Sequence, residues 1–205
     1  PGKRYLIWHS AGSGKTKTIA WLSHRLIRHM SPASKSTFNS IIVVTDRRAL
    51  DENIRDDMKL VQSSKGLVVT VGKKSGAKSP QLKQALIDGD HIITCTLQTF
   101  PEVMELIEDT EELRGRQWAV VADEAHSSQS GSAAKQLKEL LVDVDFDDDE
   151  AISADDLMAA KDSAIAASAN ITFIALTATP KAKTLRLFGT QVGDRWEDFD
   201  TYTMA

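Results

Sequence analysis

The sequence predicts an α/β domain with a mainly parallel central sheet and helices on both faces. Six short apolar runs, most of them rich in β-branched residues, recur along the chain as strands would, at residues 5–8, 41–45, 67–71, 92–96, 119–122 and 171–177. Helical patterns with apolar residues three or four apart lie between them, as at Ile19, Leu22, Leu26 and Met30. Strands that alternate with helices imply right-handed crossovers and parallel pairing. The runs are continuously apolar, which indicates burial on both faces.

Length and composition favour one domain outside any membrane. A chain of 205 residues suits a single α/β domain. No stretch approaches the roughly 20 apolar residues that a membrane-spanning helix needs, so no membrane partner is expected. Cys95 is the only cysteine, which excludes an internal disulfide and favours a reducing, cytoplasmic compartment. Its place within an apolar run predicts a buried thiol without chemistry.

Acidic residues are concentrated in one segment. Residues 142–156 contain eight acids and no bases, although the whole chain carries a formal charge of only −4. Outside that segment 25 basic residues stand against 21 acidic ones, a balance that permits an anionic partner. Blocks of like charge are usually solvated, and this one lacks the central glycine of a calcium-binding loop. We therefore predict that 142–168 form a partly mobile acidic insertion and helix within a domain that spans 1–190.

Polar and small residues follow the predicted strands directly. Ligands of open parallel sheets bind beyond the carboxyl ends of the strands, so chemistry is expected in these segments. The segments are residues 10–16, Thr45-Asp-Arg47, Thr96-Leu-Gln-Thr99, Asp123-Glu-Ala-His126 and Thr177-Ala-Thr-Pro180.

The first of these segments matches the phosphate-loop pattern G-x-x-x-x-G-K-[ST] except at its first position, where His9 replaces glycine. Glycines in the loop allow a tight backbone whose N–H groups point at phosphate oxygens, next to the positive end of a helix. Lys15 would lie between the β- and γ-phosphates of ATP, and Thr16 would offer a hydroxyl to Mg²⁺. The alternative is a glycine-rich turn that only caps a helix. The predicted nucleotide-binding residues are Ala11, Gly12, Ser13, Gly14, Lys15 and Thr16.

A pair of acids follows the fifth apolar run. Asp123 ends that run and is placed to hold Mg²⁺ through its water shell. Glu124 can orient and deprotonate an attacking water. By itself such a pair is often only a helix N-cap followed by a first-turn acid. Together with the upstream loop, it indicates an ATP-hydrolysing site with Lys15, Asp123 and Glu124 as its catalytic residues.

The order of glycine loop, Asp-Glu-Ala-His and Thr-Ala-Thr-Pro resembles that of superfamily two helicases and translocases. Longer phrases resemble the motor subunit of type I restriction enzymes, in which a histidine commonly opens the phosphate loop. The phrases are Ile7-Trp-His-Ser-Ala-Gly-Ser-Gly-Lys-Thr16, Val44-Thr-Asp-Arg47, Asp123-Glu-Ala-His-Ser-Ser-Gln129 and Asn170-Ile-Thr-Phe-Ile-Ala-Leu-Thr-Ala-Thr-Pro-Lys181. The resemblance covers nearly the whole chain apart from the acidic insertion.

This resemblance implies a RecA-like P-loop NTPase fold and roles for further residues. Thr177 and Thr179 would link the γ-phosphate state to movement, with His126 hydrogen-bonded towards them; a strand that merely ends in a proline turn is the alternative. Five residues would grip a DNA strand through phosphate and sugar contacts, which carry no sequence information. These are Thr45, Arg47, Thr96, Gln98 and Thr99. The alternative for each is an ordinary polar side chain in contact with solvent.

The implied activity is ATP hydrolysis coupled to translocation on double-stranded DNA, in the cytoplasm of a bacterium or archaeon. The implied partners are a second RecA-like lobe, towards which residues 191–205 would lead, a nuclease domain of the same subunit, and separate modification and specificity subunits. The alternatives are a type III restriction motor, a DNA-repair translocase, an RNA helicase, or a nucleic-acid-binding module that clamps a nucleotide without turnover.

Overall fold

A computed structural model describes residues 2–45, 67–71, 80–89, 91–96, 99–123, 170–180, 185 and 189–202. The predicted acidic insertion and the predicted sites at Arg47, Gln98, Glu124 and His126 lie outside these residues.

The fold is built on a sheet of seven described strands in the order β3-β4-β2-β5-β6-β1-β9. All six strand pairs in it are parallel, which confirms the predicted mainly parallel sheet. Two further strands, β7 and β8, form a separate antiparallel pair. The strands are β1 Arg4–His9, β2 Ser40–Thr45, β3 Leu67–Thr70, β4 His91–Thr96, β5 Trp118–Asp123, β6 Ile171–Thr177, β7 Thr190–Val192, β8 Arg195–Glu197 and β9 Asp200–Tyr202.

Helices cover both faces of the sheet, as predicted. The helices are α1 Lys15–Ile27, α2 Pro80–Asp88 and α3 Phe100–Asp109, with a short 3-10 helix at Glu111–Leu113. On one face, Ile19 and Ile27 of α1 belong to a cluster with Ile41 and Val43. The opposite face of β2 packs in a second cluster that includes Leu86 and Val103, from α2 and α3. Every residue of β2 is buried, because the strand lies in the middle of the sheet with helices on both sides.

The first helix is shorter than its apolar pattern suggested, since that pattern continued to Met30. The helix ends at Ile27, and the chain then folds back through a hydrogen bond of 2.9 Å from the Thr37 N–H to the His29 carbonyl oxygen. Met30 is 48% exposed. Pro32 lies just beyond and cannot continue a helix, because it lacks an N–H group. Cys95, by contrast, is fully buried, as predicted.

None of the six runs predicted as strands lies beyond residue 177, but the structure has three short strands between residues 190 and 202. The last of them, β9, pairs in parallel with β1 at the edge of the main sheet. Backbone hydrogen bonds flank this pairing, from Phe199 N–H to the Leu6 carbonyl oxygen at 2.7 Å and from Ser10 N–H to the Tyr202 carbonyl oxygen at 3.0 Å. All three residues of β9 are exposed, so the strand has no buried apolar pattern that could be recognised in the sequence.

None of the helices in the described part of the chain combines the length and the apolar character needed to cross a membrane.

Gly189 provides a test of how closely the backbone at Leu185 and at Glu197 of β8 approaches the residue before β7. A Cβ atom at Gly189 would lie 2.4 Å from the Leu185 carbonyl oxygen and 2.6 Å from the Glu197 carbonyl oxygen, so backbone would have to move. We expect Gly189→Ala to lower the free energy of unfolding by about 2 kcal/mol, measured by urea titration.

Gly193→Ala is the matched control, because a Cβ there meets nothing within 4 Å and only its positive φ of 61° adds strain. That strain should cost about 1 kcal/mol. Equal losses in the two variants would contradict the close backbone approach at Gly189.

Candidate functional site

The carboxyl ends of three adjacent strands bring the principal predicted residues to one edge of the sheet. In the register of β1 and β6, Trp8 lies opposite Thr177. In the register of β5 and β6, Asp123 lies opposite Leu176, one residue before Thr177. The loop that follows His9 therefore starts two strands away from Asp123, with Thr177 on the strand between them.

The loop after β1 has the backbone conformation that its glycines predicted. Gly12 has a φ of 77° and Gly14 a φ of 90°, both in the left-handed region that favours glycine. Helix α1 begins at the next residue, Lys15. Its N-cap residue, Gly14, has no side chain with which to cap the helix, and a Cβ on Gly14 would meet nothing within 4 Å. The first turn of α1 therefore follows the glycine loop directly, and a helix N-terminus in this position is suited to binding an anion.

The oxygen donors at this edge suit Mg²⁺, a hard cation that prefers hydroxyl, carboxylate and phosphate oxygens. Thr16 is the second residue of α1 and is partly buried beside the loop. Asp123 is the last residue of β5 and is also partly buried, whereas the five residues before it in the strand are buried. Both donors therefore lie at the end of a rigid element and keep access to solvent.

His9 lies beneath the loop with its ring buried, since only 2% of the residue is exposed. Its Nδ1 lies 2.6 Å from Ser13 Oγ, and its Nε2 lies 3.0 Å from Thr18 Oγ1. The Ser13 hydroxyl in turn donates to the Ser10 carbonyl oxygen at 2.5 Å. His9 has no positive φ, so the position does not need the glycine of the usual pattern.

The segment after β6 is tied to β1 by a contact that sequence reasoning missed. Trp8 Nε1 donates a hydrogen bond of 3.0 Å to the Ala178 carbonyl oxygen. The Thr177 side chain is buried, and its Oγ1 accepts from the Thr179 N–H at 3.3 Å. A cleft of about 410 Å³ lies beside these groups, lined by Trp8, Ala178, Thr179, Pro180, Leu185, Trp196, Glu197 and Asp198. The only sequence signal for Trp8 was its place directly before the phosphate-loop motif.

The residues predicted to contact DNA follow two other strands at the same edge, β2 and β4, and their surroundings differ. Thr96 and Thr99 are partly buried and close a turn together. Thr99 Oγ1 donates to the Thr96 carbonyl oxygen at 3.0 Å and accepts from the Thr96 N–H at 3.1 Å. Thr45 is fully buried, and its hydroxyl has no hydrogen-bond partner among the described residues. The predicted DNA contact of Thr45 stays a prediction, and it concerns a side chain that is buried here.

Comparison with known proteins places the chain in a family. The SWI2/SNF2 ATPase family model matches residues 2–147 of the 205. The chain belongs to the SWI2/SNF2 ATPase family. Family membership identifies it as part of an ATP-dependent, helicase-like enzyme.

A curated relative of this SWI2/SNF2 ATPase is a putative type I restriction enzyme MpnIIP endonuclease subunit, C-terminal part, from Mycoplasma pneumoniae. The two are 25% identical over 139 residues, which is 65% of this chain and 61% of the relative. The chain therefore spans about three fifths of that relative's length. The resemblance to restriction-enzyme motors that the sequence predicted is confirmed by this similarity.

Solved structures are similar to this SWI2/SNF2 ATPase in fold. A nuclease-deletion mutant of the type ISP restriction-modification enzyme LlaGI, in complex with a DNA substrate mimic, matches 99% of this chain and 18% of its own, with a TM-score of 0.53 and 14% identity. The DUF1998 helicase MrfA bound to DNA and AMPPNP matches 91% of this chain and 24% of its own, with a TM-score of 0.43 and 18% identity. The similarity to LlaGI agrees with the RecA-like fold predicted from the sequence.

The turn at the end of β4 gives a test of local structure in this SWI2/SNF2 ATPase. Thr99→Ala removes one donor and one acceptor from the turn and leaves the Thr96 N–H without that partner. We expect the free energy of unfolding to fall by about 1 kcal/mol, measured by urea titration. Thr190→Ala, at an exposed strand position, is the control and should change it by less than about 0.5 kcal/mol. Equal stability of the two variants would show that the turn does not depend on the Thr99 hydroxyl.

Proposed function

We propose that the chain is the first motor lobe of a restriction-enzyme subunit that couples ATP hydrolysis to translocation on double-stranded DNA. The observation that carries this proposal is the meeting of the glycine loop, Asp123 and Thr177 at the ends of three adjacent parallel strands, in a member of an ATPase family. The restriction context is supported by the curated relative, which is described as an endonuclease subunit of a type I restriction enzyme.

In this proposal the loop binds the phosphates of ATP. Left-handed glycines at 12 and 14 let the loop turn tightly into α1, whose first N–H groups have no intrahelical partner. Lys15 adds a positive charge at the start of the helix. Because backbone N–H groups and one cation are concentrated at the start of α1, the loop suits a polyphosphate better than a single charge.

The hydrolytic step is assigned to the oxygen donors. Thr16 and Asp123 would hold Mg²⁺, which when bound neutralises charge that develops on the phosphate oxygens. Glu124, the residue after Asp123, would accept a proton from the attacking water, for which a carboxylate within one hydrogen bond of that water is required.

Coupling of nucleotide state to movement is assigned to the segment after β6. The Thr177 hydroxyl and the Thr179 N–H are already hydrogen-bonded to each other, and Ala178 is bonded to Trp8 on β1. A shift at the phosphate loop can therefore reach this segment through β1. His126 would bond towards the same segment.

DNA contact is assigned to the ends of β2 and β4, at Arg47, Thr96, Gln98 and Thr99. Contacts with phosphate and sugar suit a motor, because such a protein must bind every sequence along its path. Thr45, the last residue of β2, is part of the same assignment, and its side chain is buried in this structure.

The proposed partners are a second RecA-like lobe, a nuclease domain in the same subunit, and modification and specificity subunits. In related hydrolases an arginine supplied from outside the phosphate-binding domain raises the hydrolysis rate by about 10³-fold or more. We therefore expect the lobe alone to bind ATP and to hydrolyse it only weakly.

Lys15→Ala in the full-length protein tests the nucleotide site. Loss of the loop's cation should lower the ATP hydrolysis rate by at least about 100-fold, because that charge stabilises the transferred phosphoryl group. The adjacent Lys17→Ala is the control, since Lys17 is exposed on α1 and outside the loop. Unchanged hydrolysis in Lys15→Ala, measured by phosphate release, would refute the proposed site.

A comparison of duplex DNA, single-stranded DNA and RNA tests which nucleic acid the protein acts on. If the protein moves on double-stranded DNA, ATP hydrolysis by the full-length protein should increase several-fold with a duplex and less with single-stranded DNA or RNA of equal length. The measurement is steady-state phosphate release at a fixed ionic strength, because nucleic-acid affinity depends strongly on salt. Greater stimulation by RNA would favour an RNA helicase, and stimulation by none of the three would favour a nucleotide-clamped binding module.

A further inference from the structure

We propose that His9 is a positioning residue that holds the phosphate loop in its nucleotide-binding conformation before ATP arrives. The proposal rests on the function proposed above, and it assigns a role to the residue that departs from the usual loop pattern. His9 is the last residue of β1, and both nitrogens of its buried ring are within hydrogen-bond distance of hydroxyl groups on the loop side.

The hydrogen-bond chain around His9 has a defined direction at Ser13. The Ser13 hydroxyl has one proton, which goes to the Ser10 carbonyl oxygen at 2.5 Å. Ser13 Oγ must then accept from His9 Nδ1–H across 2.6 Å. On the other ring nitrogen, Nε2 lies 3.0 Å from Thr18 Oγ1, and the same hydroxyl lies 3.4 Å from the Gly14 carbonyl oxygen. Both nitrogens of the buried imidazole thus have a hydroxyl partner.

The chain of bonds restrains the part of the loop that is otherwise least constrained. Ser13 lies between Gly12 and Gly14, the two residues with positive φ. Glycine has more accessible backbone conformations than any other residue, so a loop with two glycines loses much entropy when it adopts one shape. A hydrogen bond from a fixed ring to the residue between them lowers that loss at the moment of binding. Ligand affinity rises when this ordering occurs beforehand.

The ring itself is fixed from two sides. Thr18 contacts it from the first turn of α1. On the other side the Tyr202 ring lies with its centroid 5.0 Å from that of His9, tilted by 43°. Tyr202 also accepts the hydrogen bond from Ser10 N–H at 3.0 Å, so β9 contacts both the ring and the first residue of the loop. A glycine at position 9 would leave this buried space empty and would remove the donor to Ser13.

Two substitutions separate the two ring contacts. The side-chain amide of Asn can place a donor where Nδ1 lies, so His9→Asn keeps the contact with Ser13 and loses that with Thr18. The longer Gln reaches the position of Nε2, so His9→Gln keeps the contact with Thr18 and loses that with Ser13. His9→Gly restores the ordinary phosphate-loop pattern and loses both contacts.

The experiment compares these variants in the full-length protein by ATP dissociation constant, KM, kcat and thermal unfolding. We expect His9→Gly to bind ATP about tenfold more weakly, with kcat at saturating ATP within about twofold of the unchanged protein. A tenfold change corresponds to about 1.4 kcal/mol, which is the order expected for the loss of one or two hydrogen bonds. His9→Asn should recover most of the affinity and His9→Gln little of it. His29→Ala is the control, because His29 bonds to Thr37 at the exposed end of α1.

A second variant keeps the test decisive if substitutions at the buried ring impair folding. Ser13→Ala removes the partner on the loop and leaves the ring in place, so it should weaken ATP binding to a similar degree without lowering the unfolding temperature by more than a few degrees.

The proposal is overturned if His9→Gly or Ser13→Ala binds ATP as tightly as the unchanged protein, or if His9→Asn and His9→Gln lose affinity equally. It is also overturned if, across the variants, the loss of ATP affinity is proportional to the decrease in unfolding temperature. These outcomes leave the proposed function intact as long as Lys15→Ala abolishes hydrolysis, whereas normal hydrolysis in Lys15→Ala refutes the proposed function itself.

Discussion

The parallel pairing of β5, β6 and β1 is the constraint on which the rest of the site depends. Parallel strands end at the same edge of a sheet, so backbone hydrogen bonds alone align Asp123, Thr177 and the loop after His9. These residues lie far apart in the sequence and contribute little of the energy that aligns them. That energy comes from the buried faces of the sheet, where β2, β5 and β6 consist almost entirely of buried residues.

A rigid frame and a flexible loop meet at His9. The sheet is packed on both faces, whereas the loop contains two glycines in the left-handed region, one of which is the N-cap residue of α1. Glycine gives the backbone access to the phosphates but leaves it loosely defined. The His9 ring is buried at the end of β1, and it is hydrogen-bonded to Ser13 in the loop. This one side chain therefore connects the loop, whose glycines allow close approach to a ligand, with the packed sheet, which has a defined shape.

The same edge of the sheet connects the site with the end of the chain. Trp8 bonds to the segment after β6, and the next residue, His9, packs against Tyr202 of β9. The two neighbours of β1 in the sheet are therefore both in contact with residues at the start of the phosphate loop. For a motor lobe this arrangement matters, because displacement of either neighbouring strand changes the surroundings of the loop.

The sequence by itself determined the parallel α/β sheet, the loop with Gly12, Gly14, Lys15 and Thr16, and the strand-end position of Asp123, because these depend on local apolar patterns and on residue types with few alternatives. It also carried the resemblance to restriction-enzyme motors. Only the tertiary structure decided that β9 joins the sheet, that Thr45 is buried, and that His9 contacts Ser13 and Thr18. The physical reason is that β9 is held in the sheet by backbone hydrogen bonds. Its side chains are exposed, so they form no apolar pattern that would predict a strand. Burial and ring contacts, likewise, depend on neighbours that the sheet brings together from distant parts of the chain.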